Sequence, residues 1–205
     1  MDARTSHWDA RYAEHGEDRV SWYEAAPEVS LEMLDALHVT PQQSVLDVGG
    51  GASRLAGALL ARGFADVTVL DVSEQALGLA RRRLGPQAAA VAWIHTDLLT
   101  WEPPKVYDLW HDRAVFHFLV NPADQQRYRQ CLRAALNPGG HAIIGASAAD
   151  GPTYCSNLPV ARYDDEQLID ALGRDGLVVV ETRRRLHQTP SGATQPFTWL
   201  ALTRS

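Results

Sequence analysis

Asp47, Asp71 and Asp97 each stand at or just past the end of a short apolar run, and three glycines, Gly49, Gly50 and Gly51, follow the first of them. Carboxylates so placed accept hydrogen bonds, and glycines let a ligand approach the backbone because no Cβ intervenes. Asp71, with Val72 after it, lies twenty residues past Gly51, where an acid can take both hydroxyls of a ribose. Asp97 suits an adenine amino group, with Leu98 against the ring face. Asp47 beside the turn repels phosphate but suits a cationic amino group. A second set, His111, Asp112, Arg113 and His117, offers the residue types of proton transfer and acceptor contact, histidine foremost because it titrates near neutral pH.

Each has a plainer reading. Asp71 can cap the helix that begins near Ser73. Asp112 and Arg113 can pair with each other or cap a helix. His117 lies in the apolar run Ala114-Val-Phe-His-Phe-Leu-Val120, where a hydrogen-bonded core histidine is the alternative to a base.

The elements that position these groups alternate from Ser44 onward. Strands are expected at 44–48, 66–71, 91–95, 106–111 and 140–145, and helices at 53–62, 73–84, 122–136 and 164–173. Repeated βα units of this length predict a Rossmann-like α/β fold, a mostly parallel sheet with helices on both faces. Residues 177–186 and 195–202 read as two strands joined by the turn Thr189-Pro-Ser-Gly192, an antiparallel hairpin. The carboxyl ends of the parallel strands then bring the three acids, the glycines and His111 to one crevice, with the N–H groups of helix 53–62 facing it. Residues 1–43 differ in character. They hold Trp8, Tyr12, Trp22 and Tyr23 among acids, then a helical pattern from Pro27 to Leu37, and read as a helical lid on the 44–205 core of a single domain. Aromatic faces attract a cation by about 0.5–2 kcal/mol; packing is the other use of the same rings. Tyr154 and Cys155, in the loop after the fifth strand, and His187, ending the sixth, are expected near an acceptor.

Composition narrows the class. The 205 residues suit one domain, and a net charge of −6 gives no electrostatic footprint for nucleic acid. The runs Arg81–Arg83 and Arg183–Arg185 read as solvated structure. Two cysteines without a CxxC or a spaced His pair give neither a disulfide framework nor a metal site. No signal peptide or membrane-spanning run is visible, so a cytoplasmic protein is expected.

A dinucleotide site needs Gly-x-Gly-x-x-Gly, and its third glycine would fall on Arg54. A ligand with a ribose, an adenine and an ammonium but no phosphate is S-adenosylmethionine. Over 44–205 the chain resembles the class I S-adenosylmethionine-dependent methyltransferases. Asp47-Val-Gly-Gly-Gly51 resembles their first motif, Asp71 their ribose acid and Asp97 their adenine acid; Leu136-Asn-Pro-Gly-Gly140 resembles their Leu-Lys-Pro-Gly-Gly turn. The final hairpin fits their seven-stranded sheet with an antiparallel last strand. Gly50 and Ser53 depart from the motif, which often has Cys or Ala and then Gly. His7-Trp8-Asp-Ala-Arg-Tyr12 and Ser21-Trp22-Tyr23 resemble openings of small-molecule and some lysine methyltransferases that fold over the cofactor. Tyr107-Asp-Leu-Trp-His-Asp-Arg-Ala114 is similar to a segment of thiopurine and tellurite methyltransferases whose arginine lies near the acceptor.

The resemblance implies in-line transfer of a methyl group from S-adenosylmethionine to a small-molecule acceptor, leaving S-adenosylhomocysteine. It puts Trp8, Tyr12, Trp22, Asp47, Gly49, Gly50, Gly51, Asp71, Val72, Asp97, Leu98 and His111 on the cofactor. Tyr23, Arg113, Tyr154, Cys155 and His187 fall toward the acceptor, in a monomer or homodimer without metal. The competing readings are a protein lysine methyltransferase, which needs an open groove with an acidic or aromatic channel, and a NAD-binding or non-catalytic Rossmann protein.

Overall fold

The computed structural model describes residues 3–174 and 176–205. Two helices come first, α1 (Ala3–His15) and α2 (Glu28–Ala36), followed by β1 (Val45–Val48), α3 (Leu55–Ala61), β2 (Val67–Asp71), α4 (Glu74–Leu84) and β3 (Val91–His95). The chain continues through β4 (Tyr107–Arg113), α5 (Pro122–Ala135), β5 (Leu136–Ser147), a two-rung hairpin β6 (Tyr154–Cys155) and β7 (Leu158–Pro159), and α6 (Asp165–Leu172). It ends in β8 (Leu177–Gln188) and β9 (Thr194–Arg204).

Seven strands form one sheet in the order β3-β2-β1-β4-β5-β9-β8. The first five pair in parallel, and β9 runs antiparallel to both β5 and β8. The order reverses between β1 and β4, so the loops after these strands part and leave a crevice at their carboxyl ends. β1 and β2 are buried along their whole length, as expected of strands covered on both faces. One face packs Trp110, Tyr128, Leu132 and Ile144 into a core; the other packs Met33, Leu34, Leu55 and Leu109. Among the described residues no helix is long and apolar enough to cross a membrane.

One local feature gives bounds to the helical lid and two differ from the sequence expectation. The N-terminal segment contains a helix, α1, whose Arg4, Trp8 and Tyr12 recur every fourth residue and so share one face. β5 begins at Leu136, before the expected 140, because Leu136 pairs with Tyr107 while His141 pairs with Leu109. The extra residues 137–140 bulge out, with Gly139 at φ +78 and Asn137 donating to Asp108 at 2.8 Å. Residues 150–160 hold the β6–β7 hairpin where a loop was expected.

Alternation along β4 separates two neighbours. His111 and Arg113 lie on one face, and Asp112 on the other with Trp110. There Asp112 is fully buried and accepts from the amides of Val115 at 2.7 Å and Phe116 at 3.1 Å and from the Tyr128 hydroxyl at 2.6 Å. Burial pushes its carboxyl up to about 6 despite the Tyr128 hydrogen bond. Its geometry is that of a turn-holding acid behind the sheet's crevice, in place of the catalytic position expected for it. Asp112→Ala orphans three buried donors, so urea unfolding should show a loss of about 3 kcal/mol; a change below about 1 kcal/mol would contradict this role.

Candidate functional site

The glycine turn leaves no room for side chains. A Cβ on Gly49, at φ +63, would come within 2.0 Å of Val115 Cγ2, and one on Gly50 within 2.4 Å of Asp47 Oδ2. Gly51, at φ +41, brings its Cα side against Asp71, whose Oδ2 would lie 2.8 Å from an added Cβ. Behind the turn, Arg83 donates to the carbonyls of Ala52 at 2.9 Å and Ser53 at 2.5 Å and forms an ion pair with Glu17. The solvated reading of the 81–83 run therefore fails for Arg83, which ties the turn to the N-terminal segment.

At the end of β2, Asp71 Oδ1 accepts the Ser73 amide at 2.7 Å. Capping of α4 falls to Ser73, whose Oγ accepts from the Ala76 amide at 3.1 Å and donates to Asp9 of α1 at 2.7 Å. Asp71 thus keeps one oxygen toward the crevice, and burial pushes its carboxyl up to about 7. After β3, Asp97 accepts the Leu99 amide at 2.9 Å and Arg4 of α1 at 3.0 Å.

These groups line one end of a cavity of about 350 Å³. Val72 and Leu98 lie at the same end, while Arg113, His117, Ser147, Cys155 and Phe197 line the other. Trp8 roofs it, edge-on to Phe118 at 5.0 Å and to Trp22 at 5.5 Å. A smaller cavity of about 50 Å³ adjoins it and is bounded by Asp47, Gly49, Gly50, Arg54 and His111. Gly49, Tyr12, Trp22 and Arg113 border both.

The smaller cavity has a fixed floor. His111 Nδ1–H donates to Asp47 Oδ1 at 2.7 Å, and its Nε2 accepts from Ser30 Oγ at 2.9 Å. Both ring nitrogens are engaged, so His111 orients Asp47. Asp47 Oδ2 is buried without a hydrogen-bond partner. Tyr23 borders this cavity, with the Arg54 guanidinium 5.5 Å from its ring centre.

Arg113 is buried where the two cavities meet. It donates to the Trp22 carbonyl at 2.8 Å, pairs with Glu24 at 2.9 Å and lies 5.4 Å from the Phe197 ring centre. Burial lowers the Arg113 pKa, and the Glu24 carboxylate opposes that shift; burial likewise raises Glu24, against Arg113. His117 accepts the Ser147 amide on Nδ1 at 3.1 Å, and burial, with Arg113 nearby, pushes its pKa down to about 3. Cys155 borders the large cavity, 3.8 Å from Ser21 Oγ, and burial raises its thiol. Tyr154 does not converge with them: it is 64% exposed on β6 and borders neither cavity. His187 donates to the Ser21 carbonyl at 2.8 Å, holding the N-terminal segment down. Among the described residues no three His, Cys, Asp or Glu side chains are grouped to hold a metal ion.

Sequence reasoning missed Ser30, Glu24, Asp9 and Arg4. Ser30 had a signal: with Met33, Leu34 and Leu37 it occupies one helical stripe, so a hydroxyl there must find a partner. The others pair across more than sixty residues or between segments, which spacing along the chain does not reveal.

Residues 45–140 match the family model described as a methyltransferase domain. Over 90% of its length the chain is 23% identical to the eEF1A lysine and N-terminal methyltransferase of Mus musculus. A probable thiol methyltransferase 2 of Arabidopsis thaliana is 27% identical over 56% of the chain. The chain spans 25% of the mouse protein and 51% of the Arabidopsis protein. A solved structure concerned with converting a disulfide bond into a thioacetal group during echinomycin biosynthesis superimposes with a TM-score of 0.78 at 22% identity, covering 98% of this chain and 93% of that one. In this sheet order and in the domain match over 45–140, the chain is similar to the class I S-adenosylmethionine-dependent methyltransferases. Both likenesses support an enzyme with S-adenosylmethionine as its cofactor.

Arg83 holds the turn and Glu17 together, so Arg83→Met should speed amide exchange at residues 17 and 51–54 by about tenfold, the loss of roughly one hydrogen bond to a charged group. Exchange unchanged in that variant would show the contacts to be idle.

Proposed function

We propose that this enzyme methylates a small molecule enclosed beneath its N-terminal segment. The observation that carries the reading is the roofed 350 Å³ cavity, whose ends differ in chemistry: Asp71, Asp97 and Leu98 at one, Arg113 and His117 at the other. A protein-lysine acceptor would need an open channel with a free acid. Here the acid nearest the acceptor end, Glu24, is held by Arg113. The thiol methyltransferase likeness favours a sulfur acceptor within the small-molecule class.

The residues fit the cofactor. Asp71 keeps one oxygen beside Gly51 for the ribose hydroxyls, and the turn admits no side chain that would compete. Asp47 Oδ2, buried and without a hydrogen-bond partner, suits the ammonium. Leu98 and Asp97 receive the adenine, Asp97 sharing its charge with Arg4. Trp8, Tyr12 and Trp22 close the roof and exclude water. S-adenosylmethionine supplies a methyl group activated on a sulfonium; the protein's part is alignment and enclosure. Arg113 and Cys155 contact the acceptor.

Calorimetry should show S-adenosylhomocysteine binding and no NAD binding; the reverse would overturn the cofactor assignment. With labelled S-adenosylmethionine, thiols, amines, phenols and carboxylates offered beside a lysine peptide should yield a methylated small molecule, and label confined to the peptide would reverse the acceptor reading. Ribose hydroxyls donate to a carboxylate and favour its ionised form. Because Asp71 lies near 7, homocysteine-nucleoside affinity should rise as pH increases from about 6 to 8 and then level off. Asp71→Asn should flatten that rise and weaken binding about tenfold or more; an equally pH-dependent variant would remove Asp71 from the ribose.

A further inference from the structure

The N-terminal segment is fastened in two different ways along its length. Residues 9–22 are tied to buried or half-buried partners. Asp9 accepts from Ser73 Oγ, Glu17 pairs with Arg83, and the carbonyls of Ser21 and Trp22 accept from His187 and Arg113. The first turn of α1 is held at the surface instead. Arg4 donates to Asp97 at 3.0 Å and to Asp124, in the first turn of α5, at 2.7 Å. Its side chain is 43% exposed, against 16% and 31% for the two acids.

All three residues border the large cavity, and so does Val120, 49% exposed just before α5. The cavity therefore meets solvent here, and the two ion pairs span its mouth. The other charged residues on its wall are engaged elsewhere: Arg113 pairs with Glu24, and Asp71 accepts the Ser73 amide. Helix α1 does not favour this arrangement by itself. Its first turn holds no acid, and Arg4 puts a cation at the positive end of the helix dipole. The two carboxylates offset that repulsion, but exposed ion pairs hold weakly and salt screens them.

We propose that Arg4 is a latch across the mouth of the cavity. Ligands enter and leave when its pairs with Asp97 and Asp124 break and the first turn of α1 lifts, while residues 9–22 stay seated. This rests on the reading of Asp97 as the adenine acid and adds to it a route and a control point. Asp97 carries one end of the latch on Oδ2, and its Oδ1 accepts the Leu99 amide. The carboxylate read as the adenine's partner thus also closes the door beside it. Asp124 carries the other end from a separate helix, so its removal weakens the latch and leaves the adenine acid intact. The competing way in is the hairpin side of the same cavity, where Pro152 and Pro159 are exposed.

Stopped-flow binding of S-adenosylhomocysteine to the full chain tests the latch. This probe carries an ammonium and a carboxylate but no sulfonium, so its net charge is zero and salt acts on the latch more than on steering. D124N should raise the association and dissociation rate constants together, each about three- to tenfold, with Kd kept within about threefold. R4M should do the same. Potassium chloride at about 0.5 M should speed both rates in the wild type and change them little in R4M. A rise in dissociation alone would make Arg4 and Asp124 ordinary supports of the bound ligand and overturn the latch. Rates unchanged in both variants would put the entrance at the hairpin, and a salt response as large in R4M as in the wild type would trace it to other charges; each overturns it too. A wild type that binds no S-adenosylhomocysteine would sink the cofactor reading and the latch with it.

Discussion

A guanidinium buried at the centre of this molecule has to be neutralised, and that requirement organises much of what surrounds it. Arg113 ends β4 where the sheet order reverses, so it sits at the mouth of the crevice with its side chain only 13% exposed. An unpaired buried charge is costly enough to unfold a marginal domain. The counter-ion comes from the N-terminal segment: Glu24 supplies the carboxylate and Trp22 a carbonyl. Folding of the core and seating of the roof are therefore one event electrostatically, since neither partner can be left behind.

The same segment is held elsewhere by unrelated contacts. Asp9 receives Ser73 Oγ and the Gln75 amide at the start of α4, and Glu17 meets Arg83 behind the glycine turn. Tyr12, Val20 and Ala52 pack with Ala76 in a small apolar cluster of their own. One part of the cavity is thus walled by α1, which α4 holds in place, and another by Arg113 and the hairpin region. Each part has a separate anchor, so a change at Arg113 leaves the α1–α4 contacts in place.

Much of this was legible in the chain. Strand periodicity places Asp47, Asp71 and Asp97 at one edge because successive parallel strands must end on the same side, and the Arg54 that displaces a third glycine speaks against a dinucleotide. The closing hairpin is readable from its turn and from the lack of room for a crossover helix. What was hidden depends on which way a side chain points or on partners far away in sequence. Asp112 and His111 are adjacent letters, yet alternation sends one behind the sheet and the other to Asp47. The proton on His117 is decided by a backbone amide on β5, thirty residues away, and no local pattern announces it.

The two contacts that fasten the strap over the acceptor end share a property. Arg113 and His187 both grip main-chain oxygens, at Trp22 and Ser21 respectively. A carbonyl is present whatever side chain the residue carries. A change of side chain at position 21 or 22 therefore leaves the clasp itself in place. Such a fastening separates the choice of side chains at the strap from the way the strap is held.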